Sequence, residues 1–234
     1  MVKARKSVFG NLRQSLHRAY HARGSLNSNL WVVYSVKKDM DLVLTSDREL
    51  VHWLCYLETD NSVVDFEIQP EKHVLQTPDG AIATIPDAYV FKRDNSIEWH
   101  EVKPGKGNKA ALTLTPQLST QQALAQSHGA IHRLINDEDL EPRANEAKNW
   151  LSALAYASAI RNLEPGPERT FLTNFLRSTG SHNLGYLLNH SGGMEPAIII
   201  GELVRMAIQG KVAIDLRHRS FGYQSRWQCH GYAQ

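Results

Sequence analysis

Two short strings carry the residue types that phosphodiester hydrolysis needs. They are Ile85-Pro86-Asp87 and, at the end of the run 96–103 (SIEWHEVK), Glu101-Val102-Lys103. A hard divalent cation takes oxygen ligands, orients and acidifies a water molecule, and offsets the charge that builds on phosphoryl oxygens. Asp87 and Glu101 would supply carboxylates, and the backbone carbonyl of Val102 is expected as a further ligand. Lys103 can orient or help deprotonate the water, or offset transition-state charge. Glu49, far upstream, would complete the set by binding a second ion or holding a metal-bound water. The expected catalytic residues are therefore Glu49, Asp87, Glu101 and Lys103. The expected metal ligands are Glu49, Asp87, Glu101 and Val102, with Mg²⁺ as the ion and Mn²⁺ able to substitute. Pro-Asp and Glu-x-Lys also arise by chance, and charges alternating along an exposed strand can serve solubility or a cross-strand ion pair. Context favours chemistry here.

The elements around these strings would bring them together. Strand side chains repeat every two residues, so Glu101 and Lys103 share a face and His100 points the other way. Ala88 to Phe91 and Ser96 to Val102 read as antiparallel strands joined by the turn-prone Lys92-Arg93-Asp94-Asn95, which carries Asp87 to the edge that holds Glu101. Upstream, Val63 to Gln69 and Ile82 to Ile85 are strand-like, with Pro70, Pro78 and Gly80 as punctuation. Leu30 to Val36 is β-branched and aromatic, hence a further strand. Thr45, Ser46 and Asp47 offer capping oxygens to a helix on which Leu50, Trp53 or Leu54, and Leu57 recur on one side. Glu49 falls in its first turn. Glu58, nine residues on, faces roughly the opposite way and is the weaker candidate. Downstream come a helix from Leu118 to His128, a strand from Ile131 to Ile135, and a long helix from Arg143 to Arg161 ending at Pro165-Gly166-Pro167.

The last 70 or so residues show helical patterns at Glu168 to Arg177, His182 to Leu188 and Glu195 to Ile208. An alternating strand, Lys211 to Arg217, follows, with a second near Tyr223 to Cys229. Three helices and then a β-hairpin is the order of a winged helix. The fold expected is α/β, a restriction-endonuclease-like mixed sheet flanked by helices, followed by a small winged-helix domain. The expected organisation is a basic arm over 1–38, a nuclease domain over 39–145 and a winged-helix-like domain over 146–234.

Charge is distributed unevenly. Eight basic residues, including Lys3, Arg5 and Lys6, precede the first acid, Asp39, so a net charge of +2 for the chain leaves the remainder at −6. A basic arm on a mildly acidic body suits approach to a polyanion; a solvated leader would look the same. Val8 to Tyr20 carries Phe9, Leu12, Leu16 and Tyr20 at helical spacing within that arm. Lys106 and Lys109, in Gly105-Lys106-Gly107-Asn108-Lys109, form a phosphate-contacting loop candidate too short for a P-loop. Arg217 and Arg219 sit in a tail that interleaves basic and aromatic residues and has no acid after Asp215, which suits DNA backbone contact or a fold-back onto its own domain. Gln121 and Gln122 could turn an amide toward the site or lie on an exposed helix face. His17 and His21 lack a third ligand. Two distant cysteines, Cys55 and Cys229, argue against a disulfide framework or structural zinc, and a reducing cytoplasm is expected. No apolar run is long enough to span a bilayer, so no membrane is expected.

At these residues the sequence resembles the PD-(D/E)XK nuclease superfamily, and more closely the TnsA-like endonuclease subunits of heteromeric cut-and-paste transposases. Ser46-Asp47-Arg48-Glu49 and the helix to Glu58, then 63–70 (VVDFEIQP), are similar to the family's catalytic helix and following strand. Pro86-Asp87-Ala88-Tyr89 and Glu101-Val102-Lys103 resemble its metal-binding strands, and 135–140 (INDEDL) with Asn145 and Trp150-Leu151 resembles the segment leading into its winged helix. The resemblance implies that Glu49, Asp87 and Lys103 are catalytic and that Glu101 helps hold metal. Some relatives carry Gln there, so Glu101 returns the pattern toward ordinary restriction nucleases. It further implies nicking of the 5′ ends of a transposon, an integrase-type transposase subunit that cuts the 3′ ends, and an AAA+ ATPase regulator. The rival readings are a free-standing restriction or repair nuclease, which would cut purified DNA alone, and a non-catalytic DNA-binding regulator.

Overall fold

The computed structural model describes residues 29–77, 80–105 and 115–229. Elements in chain order are β1 (Trp31–Ser35), β2 (Met40–Leu44), α1 (Asp47–His52, continued by π-helical turns Trp53–Glu58), β3 (Val63–Ile68), β4 (His73–Thr77), β5 (Gly80–Thr84), β6 (Ala88–Lys92) and β7 (Ile97–Val102). There follow α2 (Pro116–Ser127), β8 (Ile131–Ile135), α3 (Asp137–Leu140), α4 (Ala144–Ala159), α5 (Gly166–Thr179), β9 (Ser181–Asn183), α6 (Leu184–Asn189), α7 (Pro196–Ile208), β10 (Val212–Ile214) and β11 (Arg226–Cys229). The chain is thus mixed α/β, and its elements fall into two compact units. One runs from Asp60 to Arg143; the other joins the described residues up to Thr59 with those from Ala144 on. The breaks expected from the sequence lay at 38/39 and 145/146. By packing they fall at 59/60 and 143/144.

The unit Asp60–Arg143 is built on a four-stranded mixed sheet in the order β3-β6-β7-β8, with β7 and β8 parallel and the other pairs antiparallel. The β6–β7 connection needs one residue in the left-handed region, and Asn95 takes it at φ 66°, a conformation asparagine adopts more readily than most side chains. The parallel pair requires a crossover, and α2 supplies it. Helix α2 packs on the face that carries Trp99, Tyr89 and Ile97, where Leu124, Ala125 and Ala130 meet the Trp99 ring and Leu75 of β4 joins them. Burying a ring of that size contributes about 3–5 kcal/mol against truncation to Ala. The hairpin β4–β5 is a second cover for this face: His73 bonds the Tyr89 hydroxyl and tilts against Trp99 with ring centroids 4.7 Å apart. Only its second strand was readable in the sequence.

In the other unit, the β1–β2 hairpin and α1 with its π-helical extension pack on α4, and α4 packs along α7. Gly201 makes the α4–α7 approach possible. A Cβ there would lie 2.8 Å from both the Tyr156 carbonyl oxygen and the Ile160 side chain, closer than carbon tolerates. Glu58 is fully buried and ties the β1–β2 turn, accepting from the Ser35 hydroxyl at 2.6 Å and from the Val36 and Lys37 N–H groups. Its role is therefore structural. From α5 on, a short antiparallel sheet has the order β10-β11-β9, so the last strand lies in the middle. Of the span His182 to Leu188, read in the sequence as helical, His182 and Asn183 belong instead to the strand β9, paired with β11. Among the described residues no helix is long and apolar enough to cross a membrane.

Candidate active site

Strand β7 ends in the residues singled out above, and the sheet places them as the period of two requires. Glu101 is 2% exposed, and both its oxygens are held. Lys103 Nζ stands 2.6 Å from Oε1, and Gln121 Nε2 donates to Oε2 at 2.9 Å. Gln121 comes from α2, is fully buried, and its Nε2 also donates to Thr84 Oγ1 at 2.8 Å. A carboxylate only accepts, so Glu101 dictates that the amide turns its nitrogen inward; the other end, Oε1, then takes the Nε2–H of His132 at 3.1 Å. His132, Gln121, Glu101 and Lys103 form one continuous chain of donors and acceptors. Of the two options open for Gln121 in the sequence, the structure selects the inward one. Gln122 is exposed.

Asp87 precedes β6 and is half-buried. Its Oδ2 accepts the Val102 N–H at 2.7 Å, while its own N–H donates to the His100 carbonyl at 3.0 Å. Asp87 is thereby latched across the strand end that carries Glu101 and Lys103. In a strand the N–H and C=O of one residue leave on the same side, so the Val102 carbonyl points to the edge where Asp87 sits. The next residue faces the other neighbour, with the Lys103 N–H donating to the Ile135 carbonyl at 2.9 Å. Beyond it, Gly105 and Asp137 exchange two bonds, Gly105 N–H to Asp137 Oδ2 at 2.7 Å and Asp137 N–H to Gly105 O at 3.2 Å.

Glu49 belongs to the other unit. Its carboxylate accepts from the Thr45 N–H and hydroxyl, both at 2.6 Å, and the Ser46 hydroxyl caps its N–H at 3.2 Å. The start of α1 is therefore the one its capping residues announce. Asp47 accepts from Trp31 Nε1 at 2.8 Å and from Asn29. Among the described residues no three carboxylate, imidazole or thiol groups come together in a metal-holding cluster. Lys3, Arg5, Lys6, Lys106, Lys109 and the helix expected over Val8 to Tyr20 lie outside the described residues. Arg217 and Arg219 are exposed, on the loop between β10 and β11.

The opposite face of β7 carries Glu98 and His100, both buried. His100 Nε2 lies 2.9 Å from Glu98 Oε2, and Arg133 Nε lies 2.8 Å from Glu98 Oε1. Burial pushes the Glu98 carboxyl up, but the His100 hydrogen bond and the Arg133 charge outweigh it and hold the group below its ordinary range. His100 is pushed down by burial, against the pull of Glu98. His132 is likewise pushed down by burial, against the pull of Glu101. Between pH 6.5, where a free imidazole titrates, and the lower folded values, the unfolded chain binds more protons than the folded one. Stability is therefore present above pH 6.5 and is lost as pH falls through that window, by up to about 1.4 kcal/mol per pH unit for each histidine. The urea midpoint should drop between pH 7 and 5.5, and His100→Gln should drop less. Equal slopes for the two proteins would show that His100 titrates freely.

Compared with known proteins, the chain matches no family model and no curated sequence.

Proposed function

We propose that the unit Asp60–Arg143 is a metal-dependent phosphodiester hydrolase of the restriction-endonuclease-like fold, acting on DNA in the cytoplasm. The observation that carries this reading is the buried Glu101 carboxylate, held between Lys103 and Gln121 at the strand end where Asp87 is latched. The donor set fits Mg²⁺, or Mn²⁺ in its place. Asp87, Glu101 and the Val102 carbonyl are hard oxygens, and each Glu101 oxygen keeps lone-pair capacity beyond its one hydrogen bond. Two carboxylates suffice for Mg²⁺, which keeps waters and takes substrate phosphate oxygens for the rest of its shell. When bound, such an ion acidifies water and offsets phosphoryl charge. The chain's own groups do the remainder: Lys103 orients the attacking water and can take its proton, and Gln121 fixes the angle of Glu101. Glu49 is assigned to the set on its sequence pattern alone.

More particularly, the motifs support a TnsA-like subunit that nicks the 5′ ends of a transposon. An integrase-type transposase subunit and an AAA+ ATPase regulator would be its partners. A helix, strand, helix, helix, strand, strand order from α5 to β11, with the last strand central, supports a winged-helix fold for the C-terminal elements. The test incubates the purified chain with element-end DNA, Mg²⁺ or chelator, with and without those partners. Metal-dependent nicking only in the complete mixture is expected, and chelator should abolish it. Cutting by the chain alone would replace this reading with a free-standing restriction or repair nuclease. Metal-independent binding without cleavage in any mixture would make the chain a DNA-binding regulator.

A further inference from the structure

In a winged helix the third helix reads bases by laying an exposed face in the major groove. Here that helix is α7, and no residue from Ala197 to Ile208 is exposed. One side is sealed on α4 through Gly201. Polar positions are also committed: Glu202 takes Arg169 Nε at 2.5 Å, and Arg205 Nη2 donates to the Ile160 carbonyl at 2.8 Å. Of the helix itself only Pro196 is exposed, and it and the half-buried Ala197 and Ile198 carry no hydrogen-bonding side chain to offer a base edge.

The loop between β10 and β11 has the opposite character. Arg217, His218, Arg219 and Tyr223 are exposed, His218 with a side chain 74% accessible and Tyr223 at 70%, and neither Arg217 nor Arg219 is ion-paired among the described residues. The loop backbone is anchored at several points. Asn149 Nδ2 of α4 donates to the carbonyls of both Leu216 and Arg219 at 2.8 Å, Gly185 N–H donates to the Tyr223 carbonyl at 2.8 Å, and Gly222 N–H donates to Ser225 Oγ at 2.9 Å. Two guanidinium groups on a tethered backbone, with no acid beyond Asp215 in the chain, are a phosphate-binding arrangement with little ordering entropy left to lose.

We propose that the C-terminal elements hold DNA by its phosphates through the loop 215–225 and read no bases, because the helix that would enter the major groove exposes no base-reading side chain. This rests on the DNA reading above and deepens it: the unit contributes affinity and position, and sequence choice must come from elsewhere in the assembly. The experiment measures binding of the full chain, in chelator so that nothing is cut, to two unrelated duplexes of equal length over a salt series. Arg217→Ala/Arg219→Ala should lower affinity equally on both duplexes. The loss should be on the order of a hundred-fold at low salt, with the log–log salt slope reduced by about 2. Arg217→Lys/Arg219→Lys should restore most of the binding, since a phosphate accepts either cation; this also separates lost contact from lost fold. An unchanged slope, a loss confined to one duplex, or failure of the Lys pair to rescue would overturn the proposal. Cleavage is read separately. A chain that binds in this way but never nicks would sink the nuclease reading alone, and a nicking chain with an unaltered slope would sink the loop alone.

Discussion

Asp87→Ala and Lys103→Ala should each lower metal-supported nicking by about 10³-fold or more, with DNA binding in chelator unchanged. The size follows from what each removes. On the proposed reading, loss of Asp87 would take away an oxygen ligand and with it charge that would hold the ion, and a single preorganised electrostatic group is worth about 10²–10³ in rate. Loss of Lys103 removes the group placed to orient or deprotonate water, worth about 10²–10⁴. Stability should respond much less. Asp87 gives up its hydrogen bond from the Val102 N–H, about 1 kcal/mol at a half-buried position. Lys103 is itself 32% exposed, but its partner Glu101 is buried, so its loss strands a carboxylate oxygen and costs more, about 1–3 kcal/mol. Lys103→Arg separates charge from chemistry: the guanidinium keeps the ion pair but cannot give up a proton, so it should fold normally and stay slow. Nicked-circle yield against thermal midpoint measures both axes. Full activity in either alanine variant would remove that residue from the mechanism, whatever the fold does.

Gln121→Leu is the second large effect, and it acts through Glu101. Leucine fills the same volume but cannot donate, so one oxygen of the buried carboxylate loses its partner, as do Thr84 and His132. Stranding buried polar atoms costs about 1–3 kcal/mol. A residue that orients a metal-holding carboxylate typically changes metal affinity or activity 10–100-fold. The diagnostic readout is the Mg²⁺ concentration for half-maximal nicking, which should rise in Gln121→Leu; a merely structural role would lower the melting temperature and leave that concentration in place. In Gln121→Glu two carboxylates would share the pocket, where like charges raise the pKa of one of them. Its nicking should therefore depend on pH more steeply than wild type. An unshifted metal requirement in both variants would reduce Gln121 to a core residue.

These two predictions differ in how far they could be read from the chain. The meeting of Glu101 with Lys103, and of both with the strand end at Asp87, follows from local rules. Strand side chains repeat every two residues, and the 93–96 turn is short enough to leave one register. His100 turning away follows from the same period, and Glu49 in a capped first turn follows from the capping residues before it. Gln121 was only half legible, because α2 is polar on much of its surface and its sequence does not say which side meets the sheet. The strands β2 and β4 and the three-residue β9 were missed, because mixed polar and apolar positions in the first two and the brevity of the third leave no strand pattern to stand out. Each exists through pairing with a segment elsewhere, β2 with β1, β4 with β5 and β9 with β11.

Periodicity and turn chemistry, which act between neighbours, were enough to name the order of the main elements and the strand end that bears Asp87, Glu101 and Lys103. Tertiary packing alone decided that Gln121 grips Glu101, that residues 31–59 group with the C-terminal helices, and that α7 is sealed by α4 at Gly201. Those outcomes depend on which faces bury the most apolar surface across long stretches of chain, a comparison that no local pattern records.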